Sequence, residues 1–146
     1  MPRPTKPRLV EFVPDVTYFK PPGIPLSSLD EVRIGFDELE ALRLKDLEGL
    51  EQQECAARMN LAQSTLQRML SQARAKVTRA LVEGKAIRIE GGNYQQVART
   101  LICGECGHRW DNESMETDDS MVCPVCEHAG VAPLWPRRGR KRGRPS

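Results

Sequence analysis

At 146 residues, with 22 Lys and Arg against 20 Asp and Glu, the chain is about one ordinary domain or two small ones and nearly neutral. Three Phe, two Trp and two Tyr are too few aromatic groups for one large core, which favours two small cores, one helical and one held by metal. No apolar run approaches the roughly 20 residues of a membrane span, and the opening Met-Pro-Arg-Pro-Thr-Lys-Pro-Arg lacks the apolar segment of a signal peptide. The expectation is a cytoplasmic protein without a membrane partner, in which paired cysteines hold metal rather than form disulfides.

The near-neutral total hides a partition. Residues 91–136 carry two cations against seven anions, whereas residues 137–146 carry six cations and no anion. From Cys55 to Val82 there is no acidic residue, but Arg58, Arg68, Arg74, Lys76 and Arg79 are all present. A local cationic surface, rather than overall charge, attracts a phosphate backbone.

Residues 1–34 hold most of the prolines and read as an N-terminal arm, with one short strand over Leu9–Val13 and a turn at Pro21–Pro25. Residues 35–90 read as a helical domain. Phe36, Leu39 and Leu42 open the first helix at three-residue spacing, with Gly35 as N-cap and Asp37, Glu38 and Glu40 near the positive end of its dipole. Gly49 ends it. A second helix runs from about Glu51 to Met59, and Asn60 stands at the turn, since Asn tolerates the left-handed conformation. The third helix carries Leu66, Met69, Leu70, Ala73, Val77, Ala80 and Leu81 on one stripe as far as Gly84. Lys85–Glu90 alternates as a short strand, and residues 91–99 read as a linker.

The second and third helices have the pattern of a helix-turn-helix. Ala56 is the small residue where the helices cross, Asn60 is the turn, and Cys55, Met59, Leu61, Leu66 and Met69 face inward. Opposite the inner stripe of the helix around 62–82 lie Ser64, Arg68 and Ser71, flanked by Gln67 and Gln72, with Gln63 at the helix start. Arg and Gln make bidentate contacts to base edges in the major groove. Arg74 and Arg79, further along, suit phosphate. A solvated face normally mixes both charge signs, and this one does not.

Residues 1–92 resemble a bacterial and archaeal family of DNA-binding proteins of unknown function, whose helix-turn-helix is similar to region 4 of sigma-70 factors. The resemblance is carried by Met-Pro-Arg-Pro at the start, Phe19-Lys20-Pro21-Pro22-Gly23-Ile24-Pro25-Leu26, Asp37 to Leu44, Asp46 to Leu50, Ala56 to Asn60, Ala73 to Val77 and Gly84-Lys85-Ala86. It implies transcription-related DNA binding. The family commonly has Ser-Arg after the turn where this chain has Ala62-Gln63, so no target sequence is carried over.

Cys103, Cys106, Cys123 and Cys126 form a C-x2-C-x16-C-x2-C pattern within residues 100–134. Each C-x2-C knuckle presents two sulfurs, and four thiolates suit one tetrahedral Zn²⁺, so a small β zinc ribbon is expected, with a C-x2-C redox role or an iron–sulfur cluster as the alternatives. Thr100-Leu101-Ile102 and His108-Arg109-Trp110 would form its first hairpin. Four cysteines leave no open coordination position, so the zinc is structural and His108 and His128 are surface residues. Cys55 reads as a buried small residue and Trp110 as part of the ribbon's core.

Residues 135–146 form a basic tail ending in Arg-Lys-Arg-Gly-Arg-Pro-Ser, which resembles an AT-hook, the alternative being a solvated, non-specific polycation. Arg142 and Arg144 would enter the narrow minor groove of A·T tracts, Gly143 lets the backbone approach the groove floor, and Pro145 keeps it extended. The N-terminal Pro-Arg-Pro-Thr-Lys-Pro-Arg offers a second arm. The combined reading is a sequence-selective regulator bound to double-stranded DNA, with RNA polymerase or another protein met through the acidic ribbon. The rival readings are an adaptor docked on the transcription machinery and an RNA binder. No Ser/His/Asp set, phosphate-cradling Gly loop or open metal site points to an enzyme.

Overall fold

The computed structural model describes residues 6–116, 118 and 120–134, and the chain forms two units, Met1–Val10 with Val16–Gln95 and Glu11–Asp15 with Gln96–Ser146. In the first unit the elements are β1 (Arg8–Val10), β2 (Tyr18–Phe19), β3 (Glu31–Ile34), α1 (Phe36–Leu42), α2 (Gln52–Met59), α3 (Gln63–Glu83) and β4 (Ala86–Ile89). The strand β5 (Tyr94–Gln96) runs out of it. The second holds β6 (Thr100–Cys103), β7 (Arg109–Asp111) and β8 (Val131–Pro133).

The Pro-rich segment, read as an arm with one strand, supplies three strands among its described residues. β4 is the middle strand of a three-stranded sheet, antiparallel to β2 and parallel to β3. The helices are therefore a crossover between two parallel neighbours. Arg88 on β4 donates to both carboxylate oxygens of Glu31 on β3, at 2.8 and 2.9 Å, and lies over the Tyr18 ring of β2 at 4.7 Å. The strand expected over Leu9–Val13 stops at Val10.

α1 continues through a wide turn over Arg43–Leu47, closed by Glu48 N–H donating to Arg43 O at 2.8 Å, and Gly49 at φ +74° then breaks it. Its buried face is not the one the apolar spacing gives. Phe36, Ala41 and Leu44 are buried, but so are Glu40 and Arg43, while Leu39 and Leu42 are half-buried. Arg43 donates to both Glu40 oxygens, at 2.6 and 3.1 Å, so the two charges neutralise one another inside. The core joins Ala41 and Leu44 to Cys55, Ala56 and Met59 of α2 and Leu66, Met69 and Leu70 of α3.

Asn60 adopts φ 58°, ψ 49° after α2. Its N–H donates to Ala57 O at 3.2 Å and Leu61 N–H to Ala56 O at 2.8 Å, the paired bonds that satisfy a helix end around a left-handed residue. Leu61 then packs on the core and α3 starts two residues on. On α3, Leu66, Met69, Leu70, Ala73 and Ala80 are buried as expected, and Val77 is half-buried. Leu81 is not inward: at 75% exposure it stands one position beyond Ala80, where the helix has rotated it outward.

In the second unit β6 is central, antiparallel to β7 and β8. Leu101 of β6, opposite Trp110 of β7, is 1% exposed. Asn112 is buried because its Nδ2 donates to Ala98 O and Glu116 O at 2.8 and 3.1 Å, which holds the turn after β7.

Candidate functional site

α3 begins at Gln63 after an extended Ala62 and has no acidic residue in its first turn. Gln63, Ser64, Gln67, Arg68, Ser71 and Gln72 are all exposed. Ser64, Gln67, Arg68, Ser71 and Gln72 line one shallow hollow that no other described residue borders. The structure thus gathers five of the six side chains singled out as reading groups on a single surface, with Gln63 exposed beside them in sequence.

The cations further along are differently placed. Arg74 donates to both oxygens of Asp46, at 2.7 and 3.1 Å, and this guanidinium holds the Asp46 carboxyl below its ordinary range. Lys76 donates to both oxygens of Glu38, at 2.9 and 3.0 Å. Arg58 pairs with Glu54 at 3.1 Å and Arg79 with Glu83 at 3.7 Å. The stretch that is acid-free in sequence is therefore not acid-free in space. Four of its five cations meet a carboxylate supplied from outside it, and Arg68 meets none among the described residues.

The four cysteines converge. Cys103 Sγ lies 3.5 Å from Cys126 Sγ and Cys106 Sγ 3.6 Å from Cys123 Sγ, and all four sulfurs fall within 4.8 Å of one another, close enough to hold a single metal ion. Two matching knuckles produce this. In one, Cys103 N–H donates to His108 O and Gly107 N–H to Cys103 O; in the other, Cys123 N–H donates to His128 O and Glu127 N–H to Cys123 O. Glu105 and Val125 N–H each point at a sulfur, Cys103 and Cys123 respectively, at 3.4 Å. Backbone donors at Cys106 and then Glu105, against burial, hold the Cys103 thiol down to about 6, whereas, against the backbone donor at His108, burial and the three neighbouring sulfurs push the Cys126 thiol up to about 12. Gly107 sits at φ +76° and its counterpart Glu127 at φ +60°, so the second knuckle carries a side chain where the first has none.

Neither histidine joins the sulfurs. His108 stacks on Trp110, ring centroids 5.6 Å apart, and His128 Nδ1 accepts the Gly130 N–H at 3.0 Å. Cys55 is fully buried and its thiol faces Leu50 O at 3.7 Å; burial pushes that thiol up, away from the reactive thiolate. The tail residues Arg142, Gly143, Arg144 and Pro145, and the first five residues of the N-terminal arm, lie outside the described residues. No helix among the described residues is long and apolar enough to cross a membrane.

The chain thus combines three helices and small sheets with a four-cysteine cluster suited to a metal ion. It belongs to the family described as protein of unknown function DUF134, whose model matches residues 1–97. Among its relatives is a UPF0251 protein of Desulforudis audaxviator, 54% identical over 126 residues, covering 86% of this chain and 82% of the relative. A UPF0251 protein of Moorella thermoacetica is 51% identical over 140 residues, covering 96% and 92%. No solved structure matches the chain.

Proposed function

We propose that the protein is a sequence-selective double-stranded DNA-binding protein, a regulator of transcription. In this reading α2 and α3 form a helix-turn-helix and α3 enters the major groove. The observation that carries it is the exposed hollow of Ser64, Gln67, Arg68, Ser71 and Gln72, which holds no carboxylate among the described residues and follows the left-handed turn at Asn60. Short hydroxyl and amide groups beside one guanidinium are the chemistry that base edges require.

The four sulfurs take one structural Zn²⁺ in a zinc ribbon. Sulfurs about 2.3 Å from a tetrahedral zinc stand about 3.8 Å from each other, which the 3.5 and 3.6 Å separations fit with slight relaxation. The sphere is then complete, so the zinc staples the fold and does no chemistry. The basic tail adds contacts in the adjacent minor groove, with Arg142 and Arg144 as the inserted side chains. Seven anions against two cations over residues 91–136 suit the ribbon to a basic protein surface such as one on the transcription machinery.

Selection of duplexes from a random pool by the zinc-loaded chain tests the reading. A defined consensus is expected, with affinity falling by about 10³–10⁵ between 50 and 200 mM salt. No enrichment, or preference for single-stranded RNA over the selected duplex, would overturn it.

A further inference from the structure

We infer that the four-cysteine unit carries a docking hollow beside β7 that takes an arginine side chain of a partner protein. This deepens the reading of the acidic ribbon as a contact for a basic protein surface and rests on it; DNA binding by α3 plays no part. The hollow has a volume of about 380 Å³ and a lining of two kinds. Leu101, Trp110, Met121 and Val122 supply apolar surface, and Asp111 and Glu113 supply carboxylates. Leu101 is buried and Val122 is 53% exposed, so the apolar lining runs from the interior out to solvent. The turn after β7 fixes the acidic part. Asn112 is buried with its Nδ2 donating to Ala98 O and Glu116 O, and its Oδ1 accepts the Ser114 hydroxyl at 2.9 Å. Asp111 and Glu113, on either side of it, are exposed. Neither has an ion-pair partner among the described residues.

A lining of this kind selects an amphipathic, cationic guest. An anionic group is repelled by the two carboxylates, and a purely apolar side chain takes water from them and returns no hydrogen bond. An arginine satisfies both parts: its aliphatic stem covers apolar surface while its head meets the carboxylates. The planar guanidinium offers five N–H donors and stacks on an aromatic face, where a lysine ammonium is a compact point charge. Trp and Arg are also the residue types that most often anchor protein interfaces. The wider field has the matching sign. Residues 91–136 carry seven anions against two cations, which steers a basic partner toward this unit.

The test titrates the full zinc-loaded chain with the peptide acetyl-Gly-Ser-Arg-Ser-Gly-amide and with its Lys and Leu counterparts, following backbone amide and indole shifts. The Arg peptide gives saturable shifts at the Trp110 indole N–H, Asp111, Glu113 and Val122, and binds at least about 3-fold tighter than the Lys peptide. The Leu peptide gives none. Asp111→Asn and Glu113→Gln each weaken the Arg peptide about 2- to 5-fold. Val122→Lys, which places a cation in the hollow, weakens it about 10-fold or more, whereas Val125→Lys, 64% exposed on the second knuckle and outside the lining, changes it by at most about 2-fold. Native mass spectrometry showing one zinc per chain checks that each variant is folded. Equal effects of the two lysine substitutions, or a Lys peptide that binds as tightly as the Arg peptide, overturn the arginine site while the acidic-contact reading stands. Tighter peptide binding by a chain ending at residue 136 gives the hollow to the chain's own cations and overturns the partner. Absence of shifts with both cationic peptides overturns the site and the acidic-contact reading together.

Discussion

Removing Glu40 should destabilise the helical unit more than removing any exposed ion-pair partner. Glu40 and Arg43 side chains are 2% and 5% exposed, and the guanidinium meets both carboxylate oxygens. Glu40→Ala leaves a buried guanidinium with its main counter-charge gone. Breaking a buried pair from one side costs about 3–5 kcal/mol. Glu48, 3.3 Å from Arg43 Nη1 and 43% exposed, offsets part of that, so the lower end is expected. A loss of about 3 kcal/mol is a large share of the 5–15 kcal/mol typical of a domain. Replacing both residues, Glu40→Leu with Arg43→Leu, should cost less than Glu40→Ala alone, because no buried charge is left over. Urea unfolding of the full chain followed by helical circular dichroism measures all three proteins. A Glu40→Ala cost below about 1 kcal/mol, or a double replacement worse than the single, would refute the reasoning.

Asn60→Val should cost about 1–2 kcal/mol in the same assay, since a β-branched side chain resists the left-handed turn, whereas Asn60→Gly should be nearly neutral; equal costs would contradict the capping role. Glu127→Gly should stabilise the second knuckle by about 1 kcal/mol, read as slower zinc loss to a chelator, and faster loss would contradict it. Native mass spectrometry should find one zinc per chain, lost on Cys123→Ser. Acid should also release the zinc as the thiolates protonate, and zinc retained by the serine variant would exclude a four-thiolate site.

The third helix was legible because its apolar residues recur at helical spacing, and the helix ends because Gly49, Asn60 and Gly84 lie where the chain turns left-handed. The cysteine cluster was legible because two C-x2-C knuckles fix their own geometry. What escaped is what depends on distant partners. Glu40 and Arg43 look like surface residues to any apolar count, and only their mutual neutralisation takes them inside. β2 and β3 are two and four residues long and form by pairing with β4, more than fifty residues later, which leaves no periodic signal. The carboxylates of Asp46 and Glu38 reach Arg74 and Lys76 from 28 and 38 positions away. A charge count along the chain therefore overstates the cationic surface of α3. The unequal knuckles could have been noticed from the Gly after Cys106 and the Glu after Cys126.

Backbone amide shift changes on adding the selected duplex to the zinc-loaded chain test the central claim most directly. The account predicts the largest changes over residues 63–72 and in the basic tail, with β6, β7 and β8 little affected. Changes confined to the four-cysteine unit, with the exposed face of α3 untouched, would contradict it.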